Sequence, residues 1–127
     1  MIAVEAYDSE QLLKITWSDV VPVDEMRESV EQLRISAADM RPGFRLLADF
    51  SGLISMDPGG ASYIAASMDL LATKQVGFIV RVIPDPSKDI GFNILSRFHY
   101  PSEVQIVTDQ TLAEAWQRLS GSGKSSK

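Results

Sequence analysis

The sequence predicts an α/β protein: a mixed, mostly parallel central sheet covered by helices, in the order β-β-α-β-α-β-α-β-α. Three observations carry this. Two opening segments alternate apolar and polar residues with period two, as half-buried strands do. From Val23 the apolar residues recur at steps of three and four, the spacing of one helix face. Thereafter helical stretches alternate with apolar runs too short to be helices, which is the pattern of crossover-connected parallel strands.

Taken in order, Ile2 to Tyr7 and Leu12 to Trp17 are strands. Leu13, Ile15 and Trp17 face one way, and Asp8-Ser9-Glu10 supplies the polar turn of a hairpin. Met26, Val30, Leu33, Ala37 and Met40 form the buried stripe of the first helix, between Pro22 and Pro42-Gly43. Phe44 to Phe50 is apolar on both faces and so reads as a central strand with both faces covered. The second helix spans about Pro58 to Lys74, with Ala61, Ile64, Ala65, Met68 and Leu71 inward. Val76 to Ile83 is a further buried strand, broken by Pro84-Asp85-Pro86. Ile90, Ile94 and Phe98, with Leu95 beside them, mark a short helix whose N-cap is Asp85. Glu103 to Val107 is the last strand. Thr111 and Glu114 fit a capping box ahead of a helix that buries Leu112, Ala115, Trp116 and Leu119. Residues 1–119 are expected to form one domain and 120–127 a flexible tail.

Composition narrows the function classes. The chain has 127 residues, 12 basic against 17 acidic side chains and a net charge of −5, which does not match the basic face of a general nucleic-acid binder. There is no cysteine, so disulfides, thiolate metal sites and cysteine nucleophiles are excluded. No signal-peptide pattern opens the sequence and no apolar run approaches the roughly 20 residues that span a bilayer, so a soluble, cytoplasmic protein is expected.

The stretch Leu46 to Lys74 is the most informative. An apolar run ends at Asp49, a connection follows, and Asp57-Pro58-Gly59-Gly60 opens a helix of small residues. Asp57 reads either as the N-cap of the second helix or as a residue that shapes a loop docked by a partner, with the cap the favoured reading. Gly59 and Gly60 would each cost about 1 kcal/mol of helix propensity against alanine if helical. Either a ligand or partner approaches their bare amides, or the helix begins later, near Ala61. Elsewhere the signals are weaker. His99, the only histidine, lies in Phe98-His99-Tyr100-Pro101 with no serine constellation beside it, and reads as a helix-end residue on the C-terminal dipole. Asp85 and Asp89 read as an N-cap and a first-turn charge, not a metal pair. Gly121-Ser122-Gly123-Lys124-Ser125 ends like a P-loop, but Arg118 stands where the first glycine is required and no helix follows. No cofactor, metal or catalytic machinery is therefore expected.

On these residues the chain resembles the STAS domain, found in bacterial anti-sigma-factor antagonists and at the C-termini of sulfate transporters. The likeness rests on Leu46-Leu47-Ala48-Asp49-Phe50-Ser51-Gly52, on Met56-Asp57-Pro58-Gly59-Gly60 with its small-residue helix, on the strand Val76 to Ile83, and on the closing helix Thr111 to Leu119. It covers nearly the whole chain in element order, but the motif spans only a short central segment. The resemblance implies a non-catalytic module that binds a protein partner, such as an anti-sigma-factor kinase, through the loop Ser51 to Gly60 and the start of the second helix. The residues it singles out are Gly52, Asp57, Pro58, Gly59, Gly60 and Ser62. Signalling members carry Asp-Ser-Ser-Gly or Asp-Ser-Thr-Gly there, phosphorylated on the second hydroxyl. In this chain Asp57 and Gly60 match the ends, while Pro58 and Gly59 stand at both hydroxyl positions. Phosphorylation adds about −1.5 to −2 charges, and neither residue can accept it. Ser55 and Ser62 are near but out of step.

The fold also resembles lipid-binding Sec14-type domains. The alternative expectation is thus a small apolar ligand or lipid held in a pocket at Ile90, Ile94 and Phe98, within the apolar segment Asp89 to Tyr100. Homodimerisation through an edge or helix face also suits a small α/β domain, although no seam stands out in the sequence.

Overall fold

A computed structural model describes residues 1–85 and 99–125, with the side chains of 122–125 outside that description. The strands are β1 (Ile2–Tyr7), β2 (Leu12–Val21), β3 (Arg45–Met56), β4 (Phe78–Val82) and β5 (Gln105–Asp109). The helices are α1 (Val23–Ser36), α2 (Ala61–Thr73) and α3 (Leu112–Ser125). The strands form one sheet in the spatial order β1-β2-β3-β4-β5. β1 runs antiparallel to β2, and every later neighbour is parallel. The mixed, mostly parallel α/β expectation therefore holds. The expected helix around Ile90, Ile94 and Phe98 lies outside the described residues.

Alternation along the central strands divides the core into two layers. Leu46, Ala48 and Phe50 of β3 and Ile79 of β4 belong with Leu13, Ile15 and Trp17 to the layer that buries Met26 and Leu33 of α1 and Met68 and Leu71 of α2. Trp17 and Phe50 meet there with ring centroids 5.6 Å apart. On the opposite face Leu12, Leu47, Val80 and Val82 bury Ala115 and Leu119 of α3, and Tyr7 meets Trp116 edge-on at 6.5 Å. The double coverage expected of β3 follows directly from these two layers.

Several boundaries differ from expectation. β3 does not end at Phe50. It continues to Met56 because β2 also continues, to Val21, and the two pair through Ser18↔Gly52, Asp19↔Leu53, Val20↔Ser55 and Val21↔Met56. Most of the expected loop Ser51 to Gly60 is therefore strand. α1 closes at Ser36, before Ala37 and Met40, which are buried from the turn that follows. Its buried stripe includes Ser29, whose hydroxyl donates to the Met26 carbonyl at 2.7 Å, while Val30 is half-buried. α2 starts at Ala61, after a 3₁₀ turn at Pro58–Gly60. α3 runs to Ser125, so residues 120–125, read from sequence as tail, are helical. The capping box is present: the Thr111 hydroxyl accepts from the Glu114 amide at 3.2 Å, and Glu114 Oε1 accepts from the Thr111 amide at 3.1 Å.

Candidate functional site

The site is assembled where β3 leaves the sheet and α2 begins. Asp49 is 6% exposed, and its Oδ1 accepts from both the Ser51 amide (2.9 Å) and the Ser51 hydroxyl (2.6 Å). These bonds supply partners for a carboxylate that burial alone would disfavour. Just beyond lies a register shift: Thr16 pairs with Asp49, but Ser18 pairs with Gly52. A second shift, between Asp19↔Leu53 and Val20↔Ser55, leaves Ile54 as the extra residue of a bulge. Asp19, opposite it, has φ of 61°, the left-handed region that a non-glycine residue rarely occupies. The result is a bulged two-stranded ribbon carrying Val20 and Ile54, which are 61% and 67% exposed.

The ribbon feeds the turn that sequence singled out. The Asp57 amide donates to the Val21 carbonyl at 3.0 Å, tying the turn to the end of β2. Asp57 Oδ1 accepts from the Gly59 amide at 2.9 Å, and the Asp57 carbonyl accepts from the Gly60 amide at 3.0 Å. Pro58, at the first position, needs no amide partner. Asp57 is thus a cap, and both glycines precede the α-helix, so little helix propensity is lost. Gly60 faces inward. A β-carbon there would lie 2.0 Å from Met26 Sδ and 2.9 Å from its Cε, so this glycine is the seat of α1 against the turn. Asp57, Pro58, Gly59 and Ser62 are exposed, side by side at the start of α2. Gly52 is exposed too, but lies on the ribbon, where a β-carbon would sit 3.3 Å from Ser18 Cβ. The six residues are therefore brought to one end of the molecule in three settings: ribbon, exposed turn and buried seat.

Beside the ribbon a cleft of about 330 Å³ opens between β3 and the chain leaving β4, lined by Phe50, Leu53, Ile54, Met56, Ile83 and Asp85 among others. A separate cavity of about 60 Å³ lies behind α2, bordered by Ile64, Met68, Ile79, Arg81 and Tyr100. The pocket expected at Ile90, Ile94 and Phe98, and the pairing of Asp85 with Asp89, fall outside the described residues. Among the described residues no group of three His, Cys, Asp or Glu side chains could hold a metal.

Sequence reasoning missed other polar groups. His99 Nδ1 lies 2.7 Å from Asp69 Oδ1 on α2, a partner thirty positions away that no local pattern announces. Arg81 is 3% exposed within a strand that otherwise reads as apolar. Asp109, 6% exposed, accepts two hydrogen bonds from the Arg118 guanidinium, at 2.9 and 2.7 Å. Those bonds hold its carboxyl below the usual carboxylate range. Burial pushes the Tyr100 phenol well above its ordinary value. The ribbon itself had a signal, the paired apolar dipeptides Val20-Val21 and Leu53-Ile54, which suit strands better than loops.

Comparison by sequence finds no matching family model and no matching curated protein. Comparison of structures finds clear likenesses. The anti-sigma factor antagonist SpoIIAA in its unphosphorylated form superposes with a TM-score of 0.67 at 15% identity, covering 95% of this chain and 99% of that one. An uncharacterised DUF3478-family protein from Shewanella loihica, described as having a SpoIIAA-like fold, gives 0.68 at 12% identity, covering 94% and 92%. An anti-sigma factor antagonist from Mycobacterium paratuberculosis gives 0.58 at 17% identity, covering 94% and 93%. At these identities the likeness establishes the fold: the chain has the SpoIIAA-like, STAS architecture over essentially its whole length.

Proposed function

We propose that this protein is a non-catalytic regulatory module that binds a protein partner through the turn Asp57–Gly59 and the first turn of α2, and that it does so without a phosphoserine switch. The observation that carries this reading is the exposed, Asp57-capped turn in which Pro58 and Gly59 occupy the positions where the resembled signalling domains carry hydroxyls. The capping bond fixes the turn without engaging the faces of Pro58, Gly59 and Ser62, so a partner meets a pre-formed surface and little ordering entropy is lost on docking. Gly60 and Met26 hold that surface against α1 from beneath. The partner class suggested by the similar structures is an anti-sigma factor.

Binding by surface plasmon resonance to a panel of purified anti-sigma-factor kinases tests this. At least one is expected to bind the native protein and to lose at least about tenfold in affinity to Ser62→Arg, which places a bulky charge on the exposed face of α2; this corresponds to about 1.4 kcal/mol. Equal binding by native protein and variant would overturn the assignment of the surface. The alternative, a small apolar ligand or lipid held at Ile90, Ile94 and Phe98, concerns residues outside those described.

A further inference from the structure

β1 forms one edge of the sheet. It pairs with β2 on one side and, among the described residues, with no strand on the other. The ladder fixes which of its backbone groups face outward. The Ser18 amide donates to the Met1 carbonyl at 2.8 Å, and the Met1 nitrogen donates back to the Ser18 carbonyl at 2.5 Å. In an antiparallel ladder such hydrogen-bonded pairs alternate with pairs that exchange no bond. Ala3, Glu5 and Tyr7 therefore bond to β2, opposite Thr16, Lys14 and Leu12, while the N–H and C=O groups of Ile2, Val4 and Ala6 face away from it. The Ile2 amide is closed off by a side chain from α1: it donates to Glu25 Oε2 at 3.1 Å. Little else blunts the edge. Residues 2–7 contain no lysine or proline, their register with β2 runs without a bulge, and their one charge, Glu5, stands opposite Lys14.

We infer that β1 is a latent self-association edge: it takes β1 of a second copy of this chain as an antiparallel strand, and the Glu25 carboxylate holds it closed by occupying the Ile2 amide. The residues themselves select the register. A two-fold axis at Val4 sets Val4 opposite Val4 of the second copy, Ile2 opposite Ala6, and Ala3 opposite Glu5. Every outward group of Ile2, Val4 and Ala6 then meets a partner. The two Glu5 carboxylates stay apart, whereas an axis at Glu5 would set them face to face. The apolar layer also gains. Ile2 and Val4 pack against the layer under α1, and the Val4–Val4 and Ile2–Ala6 pairs continue it across the seam, covering Ala6, which is exposed in the single chain. Glu25 opposes this pairing in two ways. It takes the Ile2 amide that the Ala6 carbonyl of the second copy needs, and its carboxylate would lie against that carbonyl, oxygen to oxygen. The seam does not involve the Asp57–Ser62 corner.

Sedimentation velocity over a concentration series tests this with Glu25→Ala, Glu25→Gln and the double variant Glu25→Ala with Ala6→Lys. Alanine is the best helix former, so the first substitution leaves α1 in place, and circular dichroism checks the fold of each variant. Glu25→Ala is expected to dimerise at least about tenfold more tightly than native protein. Glu25→Gln keeps an acceptor for the Ile2 amide and should behave as native. Ala6→Lys places a lysine on the exposed edge and should return Glu25→Ala to the monomer. Hydrogen exchange locates the seam: in Glu25→Ala the Val4 and Ala6 amides should slow at least about tenfold as concentration rises. A monomeric Glu25→Ala, a dimer that survives Ala6→Lys, or native or Glu25→Gln protein that dimerises as tightly as Glu25→Ala would overturn the inference. Protection of Val4 and Ala6 that is independent of concentration would do so too, by identifying a segment of the same chain as the occupant.

Discussion

Replacing Gly60 with alanine probes the seat on which the α2 turn rests. The added methyl would lie 2.0 Å from Met26 Sδ and 3.3 Å from its Cγ, and Met26 is only 1% exposed, with no solvent into which to move. Overpacking of this kind costs about 1–3 kcal/mol. Gly60 has φ of −90°, which alanine adopts without strain, so the unfolded chain loses entropy and returns about 0.4–1 kcal/mol of stability. The net expectation is a loss of about 1–2 kcal/mol. For a chain of this length that lowers Tm by roughly 5 °C. Urea denaturation followed by circular dichroism gives the free energy. Met26→Ala alone should cost about 2–5 kcal/mol, but the double variant should recover at least about 1 kcal/mol relative to additivity, because the new methyl occupies space that the thioether vacates. A neutral or stabilising Gly60→Ala, or strict additivity with Met26→Ala, would refute the packing and leave Gly60 free to be a contact residue.

Three further outcomes follow from the hydrogen bonds and burial described above. Asp57→Ala should cost about 1 kcal/mol in thermal melts by removing the acceptor of the Gly59 amide; no change would mean the turn does not depend on this cap. Arg118→Met leaves the Asp109 carboxylate buried without its guanidinium and should destabilise by about 1–3 kcal/mol at pH 7. Because Asp109 titrates lower when folded than when unfolded, its contribution is full above the ordinary value near 3.9 and fades as pH falls through the folded value. The stability gap between native protein and variant should therefore narrow by pH 3, and a constant gap would exclude the pair as its source. Tyr100 is protonated when folded over a range where it ionises unfolded, so native stability should fall as pH rises above about 10. Tyr100→Phe should flatten that alkaline limb, as read by urea midpoints at pH 8 and 11.

What sequence revealed and what it hid divide along physical lines. Elements defined by local periodicity or caps were legible: the hairpin at Ile2–Tyr7 and Leu12–Trp17, the stripe Met26–Leu33, the Asp57 cap and the Thr111–Glu114 box all depend on residues a few positions apart. Features made by distant partners were not. The continuation of β3 through Ser51–Met56 depends on a matching continuation of β2 and on two bulges, so its alternation is broken in sequence although its backbone is paired in space. From sequence Gly60 reads either as bare backbone approached by a ligand or partner or as a residue ahead of a helix that begins near Ala61, because nothing near it in sequence names Met26 as its neighbour. Of the candidate site, the exposed corner Asp57, Pro58, Gly59 and Ser62 was legible. The ribbon, the cleft, the Asp109–Arg118 ion pair and the Asp69–His99 hydrogen bond were not.

The central claim is that a partner docks on the Asp57–Ser62 corner and that no phosphoryl switch operates there. Its most direct test is an amide-resonance titration of isotope-labelled protein with a binding anti-sigma-factor kinase, before and after ATP, with intact mass recorded at the end. Shifts centred on residues 57–62 that ATP does not reverse, and an unchanged mass, are expected. Perturbations centred elsewhere, or an added phosphate within residues 51–62 that releases the partner, would contradict it.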